Sequence, residues 1–184
     1  MLFTIGAPFM FIVVQRFAAP RSARREKLSV LYTDLALLAL FGGLSALLGW
    51  REVALVQLPI IAISSIAGVW LFYVQHQFEG VYWAHKDNWN FARAGFEGSS
   101  FYKLPAVLQW FTGNIGFHHI HHLSPKVPNY LLPKCHYDNP PLQIKPLTLW
   151  SSLRSARLHL YDEASQRLIS FNALKRRTRP STAQ

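Results

Sequence analysis

The sequence predicts an all-α membrane protein, in which a transmembrane helical hairpin is followed by a cytoplasmic helical region rich in histidine. Two long apolar segments predict the hairpin, and a cluster of closely spaced histidines marks the second region. The composition agrees, because charged residues make up only 15% of the 184-residue chain and hydrophobic residues 51%. The usual charged share is about 25%. The length suits one domain.

Three apolar segments open the chain. Segment 1–15 has no charged residue but is shorter than the roughly 20 residues that cross a bilayer. Segment 28–50 carries one charge, Asp34, and segment 53–75 carries none. A single Arg–Glu pair separates these two, so they predict spanning helices joined by a tight turn. A pair of buried helices in a soluble protein is the alternative, although such long uncharged runs are rare in soluble domains.

The distribution of charge predicts the orientation of the hairpin. Basic residues cluster before and after it, whereas its loop carries one. The positive-inside rule therefore places both ends of the hairpin in the cytoplasm. The formal net charge of +10 would also suit nucleic acid, but the basic residues follow the membrane ends and no nucleic-acid-binding motif is present. The single cysteine, Cys135, allows no disulfide framework.

The second half of the chain has a different composition. Segment 81–102 is aromatic and polar, which is typical of the lipid–water boundary. Segment 104–123 predicts a helix interrupted by glycines, and prolines make the following stretch rich in loops. Segment 148–173 has helical periodicity. The tail, 174–184, is basic and then polar, so we expect it to be disordered.

The strongest chemical signal is the histidine cluster at 118–122. On a helix, His118, His121 and His122 share one face, because positions i, i+3 and i+4 align. Neutral imidazole binds iron, zinc, copper and nickel. Three converging imidazoles without a partner would each cost about 1–3 kcal/mol if buried. The pattern predicts a metal site, with an unligated solvent-facing patch as the alternative. His119 lies off this face, supporting the ligands or at the surface.

A further histidine, His76, directly follows the second predicted span. This position puts it at the cytoplasmic end of the helix, level with the predicted metal site, although a lone histidine there is more often a capping or interfacial residue. Glu79 follows one turn later and could accept a proton from His76 or bind metal, or remain a solvated charge. Metal-bound imidazoles usually donate their other N–H to a carboxylate or carbonyl. The candidate carboxylates are Glu79, Asp87, Glu97 and Asp138. The isolated histidines, expected at the surface, are His85, His136 and His159.

Three strings of the sequence belong together: Val74-Gln75-His76, GNIGFHHIHHL at 113–123, and Pro128-Asn129-Tyr130. Together they resemble the membrane fatty acid desaturase family, in particular its bacterial acyl-lipid, Δ12/omega-6-like branch. The resemblance makes 1–173 a partial desaturase domain and identifies 118–122 as the third histidine box of the family, H-x-x-H-H.

The resemblance implies a concrete chemistry. Family members hold a non-haem di-iron centre, ligated largely by histidine, on the cytoplasmic side of the membrane. They use O₂ and two electrons from a ferredoxin or cytochrome b5-type donor to introduce a cis double bond into an acyl chain. By position, the implied metal ligands are His76, His118, His121 and His122. His119 occupies a variable position of the box. We expect no catalytic residue apart from the ligands, and no nucleic-acid partner.

The chain also departs from the family pattern. The family has two earlier histidine boxes, but no histidine precedes His76 here. Four histidines could hold one metal ion but not two, so we expect a truncated desaturase that is inactive alone. One alternative is a related acyl or terpenoid hydroxylase. Another is a non-enzymatic membrane protein that binds metal, or a subunit complementing a partner that holds the other boxes.

Overall fold

The computed structural model describes residues 6–14, 17 and 22–178. The chain divides into two compact units between Trp70 and Leu71. The first unit contains helices α1 (Ala7–Ile12) and α2 (Arg24–Leu48), and most of α3 (Trp50–His76). The second unit contains the end of α3 and the rest of the chain.

Helices α2 and α3 are long and apolar enough to cross a membrane. Their apolar stretches are almost entirely exposed, unlike the core helix of a soluble protein. The Glu26 carboxylate accepts a hydrogen bond from the backbone N–H of Ala23 and begins α2. The prediction of two long apolar helices is therefore confirmed, with the bounds Arg24–Leu48 and Trp50–His76 in place of 28–50 and 53–75. Their break lies at Gly49 rather than at the Arg–Glu pair, because Gly49 adopts a φ of 99°.

The second unit consists of short elements joined by loops. Its helices are α4 (Phe91–Glu97), α5 (Ala106–Phe111), α6 (His118–Leu123), α7 (Leu132–Asp138), α8 (Leu149–Ser152) and α9 (Phe171–Thr178). Its strands are β1 (Phe101–Lys103), β2 (Pro146–Thr148), β3 (Leu160–Asp162) and β4 (Arg167–Ile169). Short 3₁₀ turns lie at Lys86–Asn88, Asn129–Leu131, Pro140–Leu142 and Ser155–Arg157.

The strands form two small sheets, which the all-α prediction missed. β1 and β2 pair in parallel, with Phe101 opposite Pro146. β3 and β4 form an antiparallel hairpin, with Leu160 opposite Ile169. The helical periodicity of segment 148–173 was therefore misleading. Leu160 and Leu168 lie on the paired strands, whereas Leu149 belongs to the short helix α8, and the buried Leu168 packs inward from the hairpin.

The predicted disordered tail, 174–184, begins within helix α9. Arg177 forms an ion pair with the Asp162 carboxylate at the end of β3, which connects the last turn of α9 to the hairpin. Residues 174–178 are thus helical, and 179–184 lie outside the described residues.

The core of the second unit lies against α6. Phe101, Phe117, Ile120 and Leu132 form its buried cluster. Phe101 and Phe117 stack with their ring centroids 4.8 Å apart. The cluster packs α6 between β1 and α7, and so fixes the direction of the histidine side chains.

Candidate metal centre

A tight loop starts helix α6. Gly113 and Asn114 both adopt left-handed backbone conformations, with φ angles of 61° and 58°. At Gly116, a Cβ atom would lie 2.3 Å from the backbone oxygen of Tyr102, so only glycine fits. The Tyr102 N–H donates to the Gly116 carbonyl over 2.7 Å. These constraints place the first residue of α6, His118, beside β1.

A buried glutamine connects α6 to the end of α3. Gln75 is 2% exposed, and its Nε2 donates to the Ile115 carbonyl over 2.9 Å. Its own backbone carbonyl accepts the N–H of Ser100 over 3.0 Å. Because its hydrogen bonds reach both flanking segments, the next residue, His76, is held next to α6.

Three histidines bring their ring nitrogens to one point. His118 Nε2 lies 3.0 Å from His76 Nε2 and 3.1 Å from His122 Nε2. All three potential ligand atoms lie within 4.8 Å of one another. Metal–imidazole bonds are about 2 Å long, so nitrogens around one ion are expected at about this spacing. The group can therefore hold a metal ion.

The opposite nitrogen of His76 is fixed by the backbone. His76 Nδ1 donates to the Gly98 carbonyl over 3.4 Å, which leaves Nε2 free as a ligand. The partner is thus a carbonyl rather than one of the candidate carboxylates. Glu97 pairs with Arg93 and Asp138 with Lys134. Glu79 is exposed and lies outside the three-histidine group, so its role as ligand or proton acceptor stays a prediction.

Desolvation favours the neutral form of these imidazoles, which is the form that binds metal. His118 is 7% exposed, and burial lowers its pKa to about 3, with a further decrease from the neighbouring imidazoles of His76 and His122. Partial desolvation, together with the neighbouring imidazoles of His76 and His121, also lowers the pKa of His122. Both rings are therefore neutral at pH 7, as metal binding requires. Among the described residues, His118 Nδ1 has no hydrogen-bond partner.

His121 lies beside the group rather than in it. Its side chain is exposed, and its ring stacks on that of His118 with centroids 5.6 Å apart. The expected set of four ligands is therefore split: three converge, and the fourth adjoins them. The ligand role of His121 stays a prediction.

His119 points to the opposite side of α6. It is fully buried, and its Nε2 donates to the Leu142 carbonyl over 2.9 Å. His136 Nδ1 lies 3.4 Å from the same nitrogen, and the His136 ring packs on Phe101 with centroids 4.4 Å apart. The surface position expected for His136 is wrong, since it is only 3% exposed. No local pattern signals this contact, which joins two distant segments.

The remaining isolated histidines are at the surface, as expected. His85 pairs with Glu163 over 3.2 Å, and both side chains are mainly exposed. The exposed His159 stacks on Phe171 with ring centroids 5.1 Å apart.

Comparison with known proteins identifies the family. The sequence model of the fatty acid desaturase family matches residues 1–151. A fatty acid desaturase of Bacillus subtilis (strain 168) is 47% identical over 175 residues, an alignment that covers 95% of this chain and 50% of that protein. The chain thus spans about half the length of the curated relative it matches. No solved structure matches the chain. From the family match and the identity to this relative, we conclude that the chain belongs to the fatty acid desaturase family.

Proposed function

We propose that the chain forms part of a membrane desaturase that introduces a cis double bond into an acyl chain, using O₂, two electrons and histidine-bound non-haem iron. The observation that carries the proposal is the convergence of three imidazole nitrogens in a chain of the desaturase family. Family membership supports the acyl substrate, and the donor atoms support the metal.

The residues present fit iron. Their donors are imidazoles, which suit iron, and desolvation lowers the pKa of all three rings. His76, His118 and His122 would hold one ion. His121 adjoins this group, so we assign it to the second iron of the family centre. Bound iron would supply the O₂ activation needed to remove two hydrogens from the substrate.

The surrounding residues orient the ligands. The Gly98 carbonyl selects the tautomer of His76 in which Nε2 faces the group. Gln75 holds the end of α3 beside the loop that precedes α6. The core beneath α6 buries His118 and restricts the access of water to that ring.

The two long apolar helices support a membrane location. We propose that α2 and α3 cross the membrane and that the histidine cluster lies on the cytoplasmic side, as the distribution of basic residues favours. A net charge of +10 would attract an acidic electron donor, such as a ferredoxin or cytochrome b5-type protein.

One observation favours a second candidate function, a metal-binding subunit that complements a partner chain. The described residues contain one group of three converging histidines, which suits one metal ion rather than two. Such a subunit would bind iron and become active only when the other ligands are supplied in trans.

Fragment complementation tests the proposal. The chain is expressed in desaturase-deficient cells, alone and together with the half of the Bacillus subtilis relative that it does not match. We expect iron in the chain alone, and a new acyl double bond only on co-expression. His118→Ala should abolish the product, whereas His159→Ala, at an exposed site, should not. Product from the chain alone would exclude the subunit candidate, and absence of both iron and product in every combination would contradict the proposal.

A further inference from the structure

The end of helix α3, which belongs to the second unit from Leu71 onward, is hydrogen-bonded to a segment near the C-terminus. Tyr73 and Gln77 lie one turn apart, so their side chains share a face. The Tyr73 hydroxyl donates to the carbonyl of Leu158 over 2.8 Å, and Gln77 Nε2 donates to the same carbonyl over 3.2 Å. Helical hydrogen bonding continues to Gln77, whose N–H donates to the Tyr73 carbonyl over 2.7 Å. Two side chains at the end of α3 therefore converge on one backbone oxygen.

The accepting carbonyls belong to a short turn that needs outside donors. Leu158 directly follows the 3₁₀ turn Ser155–Arg157, and the last carbonyls of a helical turn find few N–H partners within it. The Tyr73 hydroxyl also lies 3.1 Å from the Ser155 carbonyl oxygen. Ser155 is only 2% exposed, so water has little access to this contact. The donors on α3 thus satisfy polar groups in a buried place, which makes the contact specific.

The same segment also contacts the strand beside α6. The Ser152 hydroxyl donates to the Leu149 carbonyl over 2.7 Å, so its oxygen can accept the hydroxyl proton of Tyr102 over 3.0 Å. Ser152 and Tyr102 are both fully buried. The N–H of Tyr102 in turn donates to the Gly116 carbonyl, in the loop before α6. Segment 152–158 therefore connects the end of α3, which carries one of the converging histidines, with the surroundings of α6, which carries the other two.

The direction of the His76 ring depends on the rotation of this last turn. His76 Nδ1 lies 3.4 Å from the Gly98 carbonyl oxygen, which is longer than a typical N–H···O hydrogen bond. The ring is therefore held mainly through the helix backbone. Gln75 lies about 200° around the helix from Tyr73, so its hydrogen bond to the Ile115 carbonyl holds the opposite side. Loss of either contact would leave the last turn free to rotate His76 away from the other two histidines.

We propose that Tyr73 and Gln77 are positioning residues for His76, and that segment 152–158 is the anchor against which they hold it. This inference rests on the metal site of the proposed function. The family model matches residues 1–151, so the anchor lies directly beyond the matched part of the chain. The metal site is thereby supported by a segment that the family model does not include.

Cobalt binding to the detergent-purified, metal-free full chain tests this inference. Co²⁺ is next to Fe²⁺ in the affinity order of divalent metals, and its visible absorption reports the number and geometry of its ligands. Tyr73→Phe removes one donor to the Leu158 carbonyl, and the double variant Tyr73→Phe/Gln77→Leu removes both. His76→Ala provides the spectrum without this ligand. Thermal unfolding of each variant defines the conditions under which all of them are folded.

Two matched controls carry the same chemical changes elsewhere in the second unit. Tyr82→Phe removes a 2.9 Å hydrogen bond to the carbonyl of Asn88, and Gln143→Leu removes a 3.0 Å hydrogen bond to that of Tyr137. Each of these bonds is exposed and joins residues six positions apart in the chain. Neither control changes a contact with α3.

The double variant should bind Co²⁺ about 10-fold more weakly than the unmodified chain, as is typical when a residue supporting a ligand is lost. Its spectrum should shift toward that of His76→Ala, with a smaller shift in Tyr73→Phe and none in the controls. Tyr73→Phe provides the same comparison should the double variant fail to fold. A folded variant with the spectrum of the unmodified chain would overturn the inference and leave the metal site intact. An unmodified chain that binds no Co²⁺ would contradict the metal site itself, and the inference with it.

Discussion

The two faces of helix α6 carry the same residue type in different surroundings. On one face, the Nε2 atoms of His118 and His122 converge with that of His76. On the other, His119 donates its Nε2–H to a backbone carbonyl within the aromatic core. The comparison shows that the partner of each ring decides its role: nitrogens that meet one another can hold metal, and a nitrogen that meets a carbonyl holds the fold together.

The largest effect is expected from substitutions on the face of α6 that carries His118 and His122. His118→Ala removes the central imidazole of the three-histidine group, because His118 Nε2 contacts both other nitrogens. Iron affinity should fall by more than the roughly 10–100-fold that is typical when a residue supporting a ligand is lost. Iron per chain in purified protein measures this effect, with His159→Ala as a control. Equal iron in both variants would remove His118 from the site.

A glycine substitution in the loop before α6 should disturb both faces of this helix together. Gly116→Ala forces a methyl group to within 2.3 Å of the Tyr102 carbonyl oxygen, so the loop before α6 must shift. We expect a loss of about 1–3 kcal/mol of stability, as for overpacking, together with weaker iron binding. Gly68→Ala is the matched control, since no atom lies within 4 Å of the added Cβ position. Thermal unfolding in detergent compares them, and similar melting temperatures would contradict this account of the loop.

Substitution of His119, on the face of α6 that packs into the core, should lower the stability of the protein more than its metal content. His119→Ala leaves the Leu142 carbonyl without its donor and opens space beside Phe101, at a cost of about 1–3 kcal/mol. His119→Gln keeps a donor group and should recover part of the loss. Iron binding measured under conditions where both variants are folded should change little. Complete loss of iron in folded His119→Gln would place His119 in the metal site.

A gradual effect is expected on acidification of the metal-free protein. The pKa of His118 is about 3 and that of His119 about 4, against an ordinary value of 6.5, chiefly because both rings are buried. Below about pH 6.5 the unfolded chain therefore binds more protons than the folded chain, so the free energy of unfolding should fall as the pH decreases toward 3. Denaturant unfolding at several pH values measures the slope. His118→Ala should reduce this slope without removing it, and a slope of opposite sign would contradict the burial of these rings.

The sequence predicted one face of α6 better than the other. His118 and His122 could be paired from their i, i+4 spacing, and His76 from its place at the end of a long apolar segment. His121 could not be separated from them, because neighbouring helical positions differ by about 100° and the direction of approach of His76 decides which one faces it. The Gly98 carbonyl and the His136 contact depend on tertiary folding, as does the β3–β4 hairpin, whose leucines also fit a helical period.

The central claim is that His76, His118 and His122 bind one iron ion through their Nε2 atoms. X-ray absorption at the iron edge of the detergent-purified, iron-loaded chain tests it most directly. We predict nitrogen ligands at about 2 Å with the outer-shell scattering of about three imidazoles, reduced by one imidazole in His122→Ala. Iron surrounded only by oxygen ligands, or the same imidazole scattering in His122→Ala as in the unmodified chain, would contradict the claim.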